Sequence, residues 1–254
     1  MIVERKSIVN TGLNGKIVLV TEAVRNFGRI TALGFAKEGA NLLLASADTG
    51  EQLAQSAHDA SELGVKVVTA QCDPSDKGQV DALVQQCLSA FGRIDVLLNN
   101  PLLPFEARSL EDISFDQWRE KMEFELTGSV QVCQAVLPQM IRQEWGRIIS
   151  YGGLAGFLGS DPMTSASELG IVGLTRGIAR EYGKFNITAN CICPGGVEAE
   201  GQFHAHLFPP GEGDPLPRWG TPGELAFLTM CLASEEAGYV TGQCLLPNGG
   251  RYFL

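Results

Sequence analysis

The sequence predicts an α/β fold, a doubly wound parallel sheet of about seven strands with helices on both faces. Two observations predict it. Short apolar runs of strand length alternate with segments of helical periodicity along the chain. The 254 residues also include 30 glycines, as many tight strand-to-helix turns require, and the 44% apolar content can bury a large core. Because no internal linker or repeat interrupts this alternation, we expect one domain over residues 1–254.

The predicted elements follow one another in βα units. The first strand, Lys16–Thr21, is a largely apolar run typical of a buried parallel strand, and a helix follows from about Phe27 to Glu38. Further strands are predicted at Asn41–Ala45, Val65–Gln71, Asp95–Asn99, Arg147–Tyr151, Thr188–Ile192 and Gln243–Leu246. Further helices are predicted at Glu51–Leu63, Lys77–Phe91, about Phe115–Met140, about Met163–Tyr182 and from Thr221, where Pro222 takes the first helical position and Glu224 completes a capping box. Such units place ligands beyond the carboxyl ends of the strands.

The charge and the N-terminus narrow the class of protein. A net charge of −10 without a block of like charges argues against nucleic-acid and anionic-membrane partners. No apolar run approaches the roughly 18 residues of a membrane span. Because residues 1–14 mix charged and polar side chains, we expect no secretory signal and a cytoplasmic protein.

Two groups of residues are potential metal ligands. The seven cysteines show no CxxC spacing, but Cys191 and Cys193 share one face of a predicted strand. We favour buried reduced thiols over a metal pair. His204 and His206 form an HxH pair in the irregular stretch Glu198–Trp219, which we expect to cover the mouth of the cleft rather than to bind a metal. The sequence therefore predicts no metal site.

Short motifs at the ends of strands and inside helices carry a family resemblance. In chain order they are Asp73, Asn99-Asn100, Leu126-Thr127-Gly128, Gly146-Arg147-Ile148-Ile149, Gly173-Leu174-Thr175-Arg176, Pro194-Gly195, Thr241-Gly242-Gln243 and Gly249-Gly250. In this order and spacing the sequence resembles the short-chain dehydrogenase/reductase family over nearly its whole length. The resemblance implies a Rossmann-type fold that binds a nicotinamide dinucleotide and transfers a hydride. Fold alone does not decide function, which depends on the residues at each site.

The cofactor turn of the family is altered. The family has TGxxxGxG after the first strand, where small residues let the backbone and the helix N-terminus approach the pyrophosphate. Here Glu22 and Asn26 replace the first two glycines, and only Gly28 is kept. Like charges about 4 Å apart repel by roughly 4 kcal/mol at an effective dielectric near 20, so we expect Glu22 to oppose a pyrophosphate. A rearranged loop that binds another ligand is the competing interpretation.

Three further positions that bind the cofactor in the family are also altered here. Ser46 stands where NAD-using relatives carry an aspartate at the end of the second strand. Pro101 removes an amide donor from the family's NNAG segment, and Ala199 stands where a threonine often meets the nicotinamide. The resemblance therefore implies that this chain binds no cofactor of its own.

All four catalytic positions of the family are altered too. In the family a tyrosine and a lysine four residues apart exchange a proton with the substrate, a serine orients the carbonyl group and an asparagine holds a relay water. The matching residues here are Thr164, Glu168, Gly153 and Glu125. A carboxylate at the lysine position raises the pKa of a neighbouring acid, the reverse of what the reaction needs. We therefore expect no hydride transfer at these residues.

Other chemistry at the same positions stays open. If Glu125 and Glu168 lie close together they couple, and one of them can act as the acid of a lyase or isomerase. The interpretation that we favour is that both point into water or toward a neighbouring subunit. Tyr151 could bring a phenol from a new direction, but a packed core tyrosine is the preferred explanation.

A kept scaffold with an altered site indicates a non-catalytic subunit. Family members assemble as dimers or tetramers through segments that match Phe115–Met140, Met163–Tyr182 and Gln243–Leu254 here. The chain resembles the inactive subunits found in hetero-oligomeric alcohol dehydrogenases of the family. One such enzyme oxidises a CoA-thioester hydroxy acid in anaerobic toluene degradation, and its active subunits carry out this reaction. That resemblance implies a tetramer in which an active paralogue binds NAD. A self-sufficient NAD(P)-dependent oxidoreductase with an unconventional acid is the third interpretation.

Overall fold

The fold is built on a seven-stranded parallel sheet, which confirms the predicted fold class. The computed structural model describes residues 11–24, 26–48, 50–101, 103, 107–198 and 209–254, with the backbone alone at position 26. The strands are β1 Ile17–Val20, β2 Asn41–Ser46, β3 Val67–Gln71, β4 Val96–Asn99, β5 Gly146–Tyr151, β6 Ile187–Ile192 and β7 Cys244–Leu245. Their order, β3-β2-β1-β4-β5-β6-β7, reverses between β1 and β4, and this reversal creates the crevice in which doubly wound folds bind ligands.

Helices cover both faces of the sheet. Those of the described residues are α1 Asn26–Lys37, α2 Glu51–Ser61, α3 Lys77–Phe91, α4 Phe115–Lys121, α5 Gly128–Arg142, α6 Leu154–Leu158, α7 Pro162–Tyr182 and α8 Pro222–Ala233. Successive side chains of a strand point to opposite faces. Val18 and Val20 of β1 accordingly pack in the core under α1, α2 and α8, whereas Leu19 packs in the core under α3, α5 and α7. The capping box predicted at Thr221 and Glu224 is present at the start of α8.

The long helix predicted at Phe115–Met140 is interrupted, which corrects that prediction. After α4 ends at Lys121, residues Met122–Thr127 form a π-helical segment, and α5 follows directly. The apolar pattern continues on both sides of the interruption, so periodicity does not reveal it. Single π-helical turns often occur at functional sites, and this one contains Glu125.

The predicted and observed strands differ slightly at their ends, because strand pairing and not apolar content decides where a strand begins and ends. β3 begins at Val67 instead of Val65, and β7 is limited to two residues that pair with β6 through Cys191↔Cys244 and Ile192↔Leu245. None of the helices described here combines the length and the apolar content needed to cross a membrane.

Candidate functional site

The carboxyl ends of β1, β4, β5 and β6 open toward one cleft, which α4, the π-helical segment and α7 close from the side. Five of the residues predicted at altered family positions line it: Pro101, Glu125, Gly153, Thr164 and Glu168. The structure therefore brings the four catalytic positions together, as the family resemblance implies.

Part of the predicted site lies outside the described residues. Ala199, His204 and His206 belong to the segment 199–208, and only the backbone of Asn26 is described, at the start of α1. The expectation that Glu198–Trp219 covers the mouth of the cleft therefore stays a prediction.

Glu22 keeps the backbone conformation of the glycine that it replaces. Its φ of 47° lies in the left-handed region, which costs a residue with a side chain roughly 1–2 kcal/mol. Its buried carboxylate accepts hydrogen bonds from Ser46 Oγ at 3.1 Å and from the Ala47 amide at 2.9 Å. The carboxylate is thus directed to donors at the end of β2, the position that the resemblance assigns to the adenosine ribose, and the expected repulsion of a pyrophosphate stays a prediction.

Gly28 is required by the packing of the turn itself. A Cβ at this position would lie 2.2 Å from the backbone oxygen of Glu22. The same oxygen accepts a hydrogen bond from Asn100 Nδ2 at 3.2 Å, while the Asn100 amide donates to Thr21 Oγ1 at 2.9 Å. Glycine at position 28 therefore permits a close backbone approach, whether or not the turn binds a phosphate.

The Glu168 carboxylate lies against the backbone at Gly153 and Gly156. Its Oε2 accepts a hydrogen bond from the Gly156 amide at 2.6 Å. A Cβ at Gly153 would lie 2.2 Å from Glu168 Oε1 and 2.7 Å from its Cδ. A side chain at position 153 would therefore require the end of the Glu168 side chain to move.

Glu125 is paired with a lysine that the sequence analysis missed. Lys121 Nζ lies 2.7 Å from Glu125 Oε1, and the two side chains are only 4% and 5% exposed. The Leu103 amide donates to the same carboxylate oxygen at 3.0 Å. The expectation that Glu125 points into water is wrong, because the fold buries it, and a buried carboxylate needs a cation and donors. Their spacing of four residues in a helix was the available signal.

The Glu168 carboxyl group is poised near neutral pH. Burial raises its pKa from the ordinary 4.5 to about 7, although the hydrogen bond from Gly156 acts against this. The charge of Glu125 raises the pKa further, and that of Lys121 lowers it. The hydrogen bond to the Gly156 amide directs the Glu168 carboxylate toward the backbone of α6. A carboxyl group with such a pKa can donate or accept a proton at neutral pH.

Thr164 and Tyr151 do not restore the missing phenol. Thr164 lies in the first turn of α7, where its amide donates to Asp161 Oδ1 at 2.9 Å. The Tyr151 hydroxyl is 2.6 Å from Thr229 Oγ1 of α8, and burial raises its pKa above the usual range. Its ring packs on Phe27 at a centroid distance of 5.3 Å. Tyr151 is thus a packed core tyrosine, as preferred, whose ring also borders the cleft.

Comparison with known proteins agrees with this architecture. The chain matches the family described as short chain dehydrogenase over residues 16–205. It is 34% identical over 251 residues to (2S)-[(R)-hydroxy(phenyl)methyl]succinyl-CoA dehydrogenase subunit BbsD of Thauera aromatica, covering 94% of this chain and 98% of the relative. It is 33% identical over 246 residues to the 3-oxoacyl-[acyl-carrier-protein] reductase of Thermotoga maritima, with 94% and 98% covered.

Solved structures show the same fold. Levodione reductase superposes with a TM-score of 0.87 at 29% identity, covering 94% of this chain and 98% of the other. Carveol dehydrogenase from Mycobacterium avium in complex with NAD gives a TM-score of 0.84 at 25% identity, with 93% and 97% covered. With the family match over three quarters of its length, this chain belongs to the short-chain dehydrogenase/reductase family of oxidoreductases.

Proposed function

We propose that this chain is a non-catalytic subunit of a hetero-oligomeric short-chain alcohol dehydrogenase, in which an active paralogous subunit binds NAD and transfers the hydride. The observation that carries the proposal is the place of the Glu168 carboxylate. It comes from the position of the family's lysine and fills the space of the family's serine at Gly153. A site that needs an ammonium group and a hydroxyl there holds an acid instead.

The charges around the cleft support this loss of proton transfer. The Thr164 hydroxyl is a far weaker acid than a phenol, and Glu168 works against its ionisation. Among the described residues that line the cleft, Lys121 is the one ammonium group, and it lies in a buried ion pair with Glu125. Its charge is therefore compensated before any substrate oxygen approaches.

The end of β2 supports the proposal that the chain binds no dinucleotide. The Ser46 hydroxyl and the Ala47 amide, the donors nearest to an adenosine ribose, are already engaged by Glu22. A ribose would have to displace a buried carboxylate. A 2′-phosphate about 4 Å away would in addition meet a repulsion of roughly 4 kcal/mol at an effective dielectric near 20. These residues therefore fit NADH poorly and NADPH worse.

The names of the relatives support a dehydrogenase complex that acts on a CoA thioester. The protein from Thauera aromatica is named as a subunit of a succinyl-CoA-type dehydrogenase, and the one from Thermotoga maritima as a 3-oxoacyl-[acyl-carrier-protein] reductase. Thioesters are common to both, which favours a CoA-thioester hydroxy acid as substrate of the complex, as in anaerobic toluene degradation. We further propose a cytoplasmic heterotetramer that assembles through α4–α5, α7 and the C-terminal segment.

Titration of the isolated chain with NADH and NADPH, followed by fluorescence, tests the proposal. We expect no saturable binding by the wild type and measurable NADH binding by Glu22→Gly, which frees the two donors at the end of β2. Glu144→Gly is the matched control, because Glu144 is exposed and has a similar φ of 50°. A wild-type dissociation constant in the usual enzyme range, roughly micromolar, overturns the proposal.

Reconstitution with an intact paralogue tests the subunit role. We expect the two chains to copurify and to oxidise a hydroxyacyl-CoA with NAD, while the isolated chain does not. Glu168→Gln should leave the rate of the complex unchanged. A complex that loses its activity with this variant would show that the cleft takes part in the chemistry.

The raised pKa of Glu168 supports a second candidate, a lyase or isomerase that uses Glu168 with Glu125 and needs no dinucleotide. Turnover of a hydroxyacyl-CoA by the isolated chain, abolished in Glu168→Gln and kept in the exposed control Glu123→Gln, would establish it. The reductase relatives favour a third candidate, an atypical NAD(P)-dependent oxidoreductase. It requires NAD(P)H binding together with oxidation or reduction by the chain alone.

A further inference from the structure

Three cysteine thiols lie together on the sheet face under α7, outside the lining of the cleft. Cys191 belongs to β6, Cys193 follows this strand, and Cys244 begins β7. The Sγ atoms of Cys191 and Cys193 are 3.5 Å apart, and those of Cys193 and Cys244 are 3.4 Å apart. All three sulfur atoms lie within 4.8 Å of one another. The shared strand face predicts the first pair, whereas Cys244 joins only through the pairing of β6 with β7.

The separations suit a small thiophilic ion. Zinc–sulfur bonds are about 2.3 Å long, so a tetrahedral ion needs thiolates about 3.8 Å apart. The Cys191–Cys193 and Cys193–Cys244 pairs reach this spacing by moving a few tenths of an ångström. The third pair lies within 4.8 Å and needs to close by no more than about 1 Å. Gly152 leaves them room, since a Cβ there would lie 2.9 Å from Cys193 Sγ. No fourth His, Cys, Asp or Glu joins the group within the described residues. Cys244 is the least buried of the three, so water can supply the fourth ligand from its side.

The charges suit a metal as well. Soft thiolate ligands select zinc and copper over magnesium or calcium. A divalent ion leaves three thiolates with a net charge of only −1, which is less costly to bury than the −2 left by a monovalent ion.

We propose that Cys191, Cys193 and Cys244 form a zinc site that ties β7 to β6. β7 pairs with β6 at two positions, and backbone hydrogen bonds extend this contact from Gly242 to Pro247. A metal bridge between the two strands secures the C-terminal edge of the sheet. None of the three proposed ligands lines the cleft, so the site does not depend on what the cleft binds.

Cobalt titration of the full-length reduced protein under anaerobic conditions tests the proposal. We expect one equivalent of Co²⁺ to produce sulfur-to-cobalt absorption that Zn²⁺ then abolishes. The absorption should disappear in Cys244→Ser and persist in Cys231→Ser, whose half-buried cysteine lies in α8 outside the cluster. A chelator should lower the melting temperature of the zinc-loaded wild type but not that of Cys244→Ser.

Several outcomes overturn the zinc site. Absence of the cobalt absorption in the wild type does so even if the variants fail to fold. Equal absorption in the wild type and in Cys244→Ser assigns the ion to other ligands. A count of five instead of seven thiols in protein unfolded without reductant shows that two of the cysteines form a disulfide, which would leave too few thiolates for the ion.

Discussion

Glu168→Gln should remove a specific pH dependence from the stability of this protein. The carboxyl group is enclosed by Gly153 and Gly156 and faces the charges of Glu125, Lys121 and Asp161, and its pKa is raised to about 7, first of all by burial. Glutamine has nearly the same shape and can still accept the hydrogen bond from the Gly156 amide. The variant therefore changes the ionisation of residue 168 while keeping its main contact.

The direction follows from the two pKa values. Well below pH 4.5 the carboxyl group is protonated in both the folded and the unfolded state, and it does not reduce stability. Between 4.5 and about 7 the folded protein keeps a proton that the unfolded chain has released, so stability falls as pH rises. Above about pH 7 the folded protein has lost the full amount of stability that this ionisation costs. At about 1.4 kcal/mol per pKa unit, it amounts to about 3 kcal/mol.

Urea unfolding at matched protein concentration between about pH 5 and pH 8 measures this effect. The wild type should lose about 2.5 kcal/mol more over this interval than Glu168→Gln does, because part of the total is already lost at pH 5. Glu123→Gln, an exposed change on the adjoining π-helical segment, should behave as the wild type. Parallel stability curves for the wild type and Glu168→Gln would refute the reasoning, because the carboxyl group would then titrate alike in the folded and unfolded states.

Three further substitutions test the surroundings of the cleft by urea unfolding. Lys121→Met leaves Glu125 buried without a cation and should lower the free energy of unfolding by about 3–5 kcal/mol. Adding Glu125→Gln should recover most of this loss. A double variant that is no more stable than Lys121→Met contradicts the pairing. Asp161→Ala removes the cap of α7 and should cost about 1 kcal/mol, with Asp161→Asn close to wild type. Tyr151→Phe loses the hydrogen bond to Thr229 and should cost about 1 kcal/mol. It should leave the activity of the reconstituted complex unchanged, and an activity loss would place Tyr151 in the site.

The predicted fold needed only local patterns. Alternation of strand-like runs and helical periodicity depends on which face of each element is apolar, and this is a property of neighbouring residues. The same is true of the capping box at Thr221 and Glu224, which is confirmed. The altered family positions Gly153, Thr164 and Glu168 were also found from the sequence, since the motifs around them set their alignment.

Only the tertiary structure decided where the polar side chains of the site point. Glu22 turns to donors at the end of β2, Glu125 is buried against Lys121, and Glu168 fills the space above Gly153. Each of these directions depends on a partner or an empty volume that the fold supplies, often from a distant part of the chain. A buried charge takes the orientation that best compensates its lost hydration, and the compensating groups are assembled only by folding. Sequence therefore determined which residues occupy the site, and packing determined what they contact.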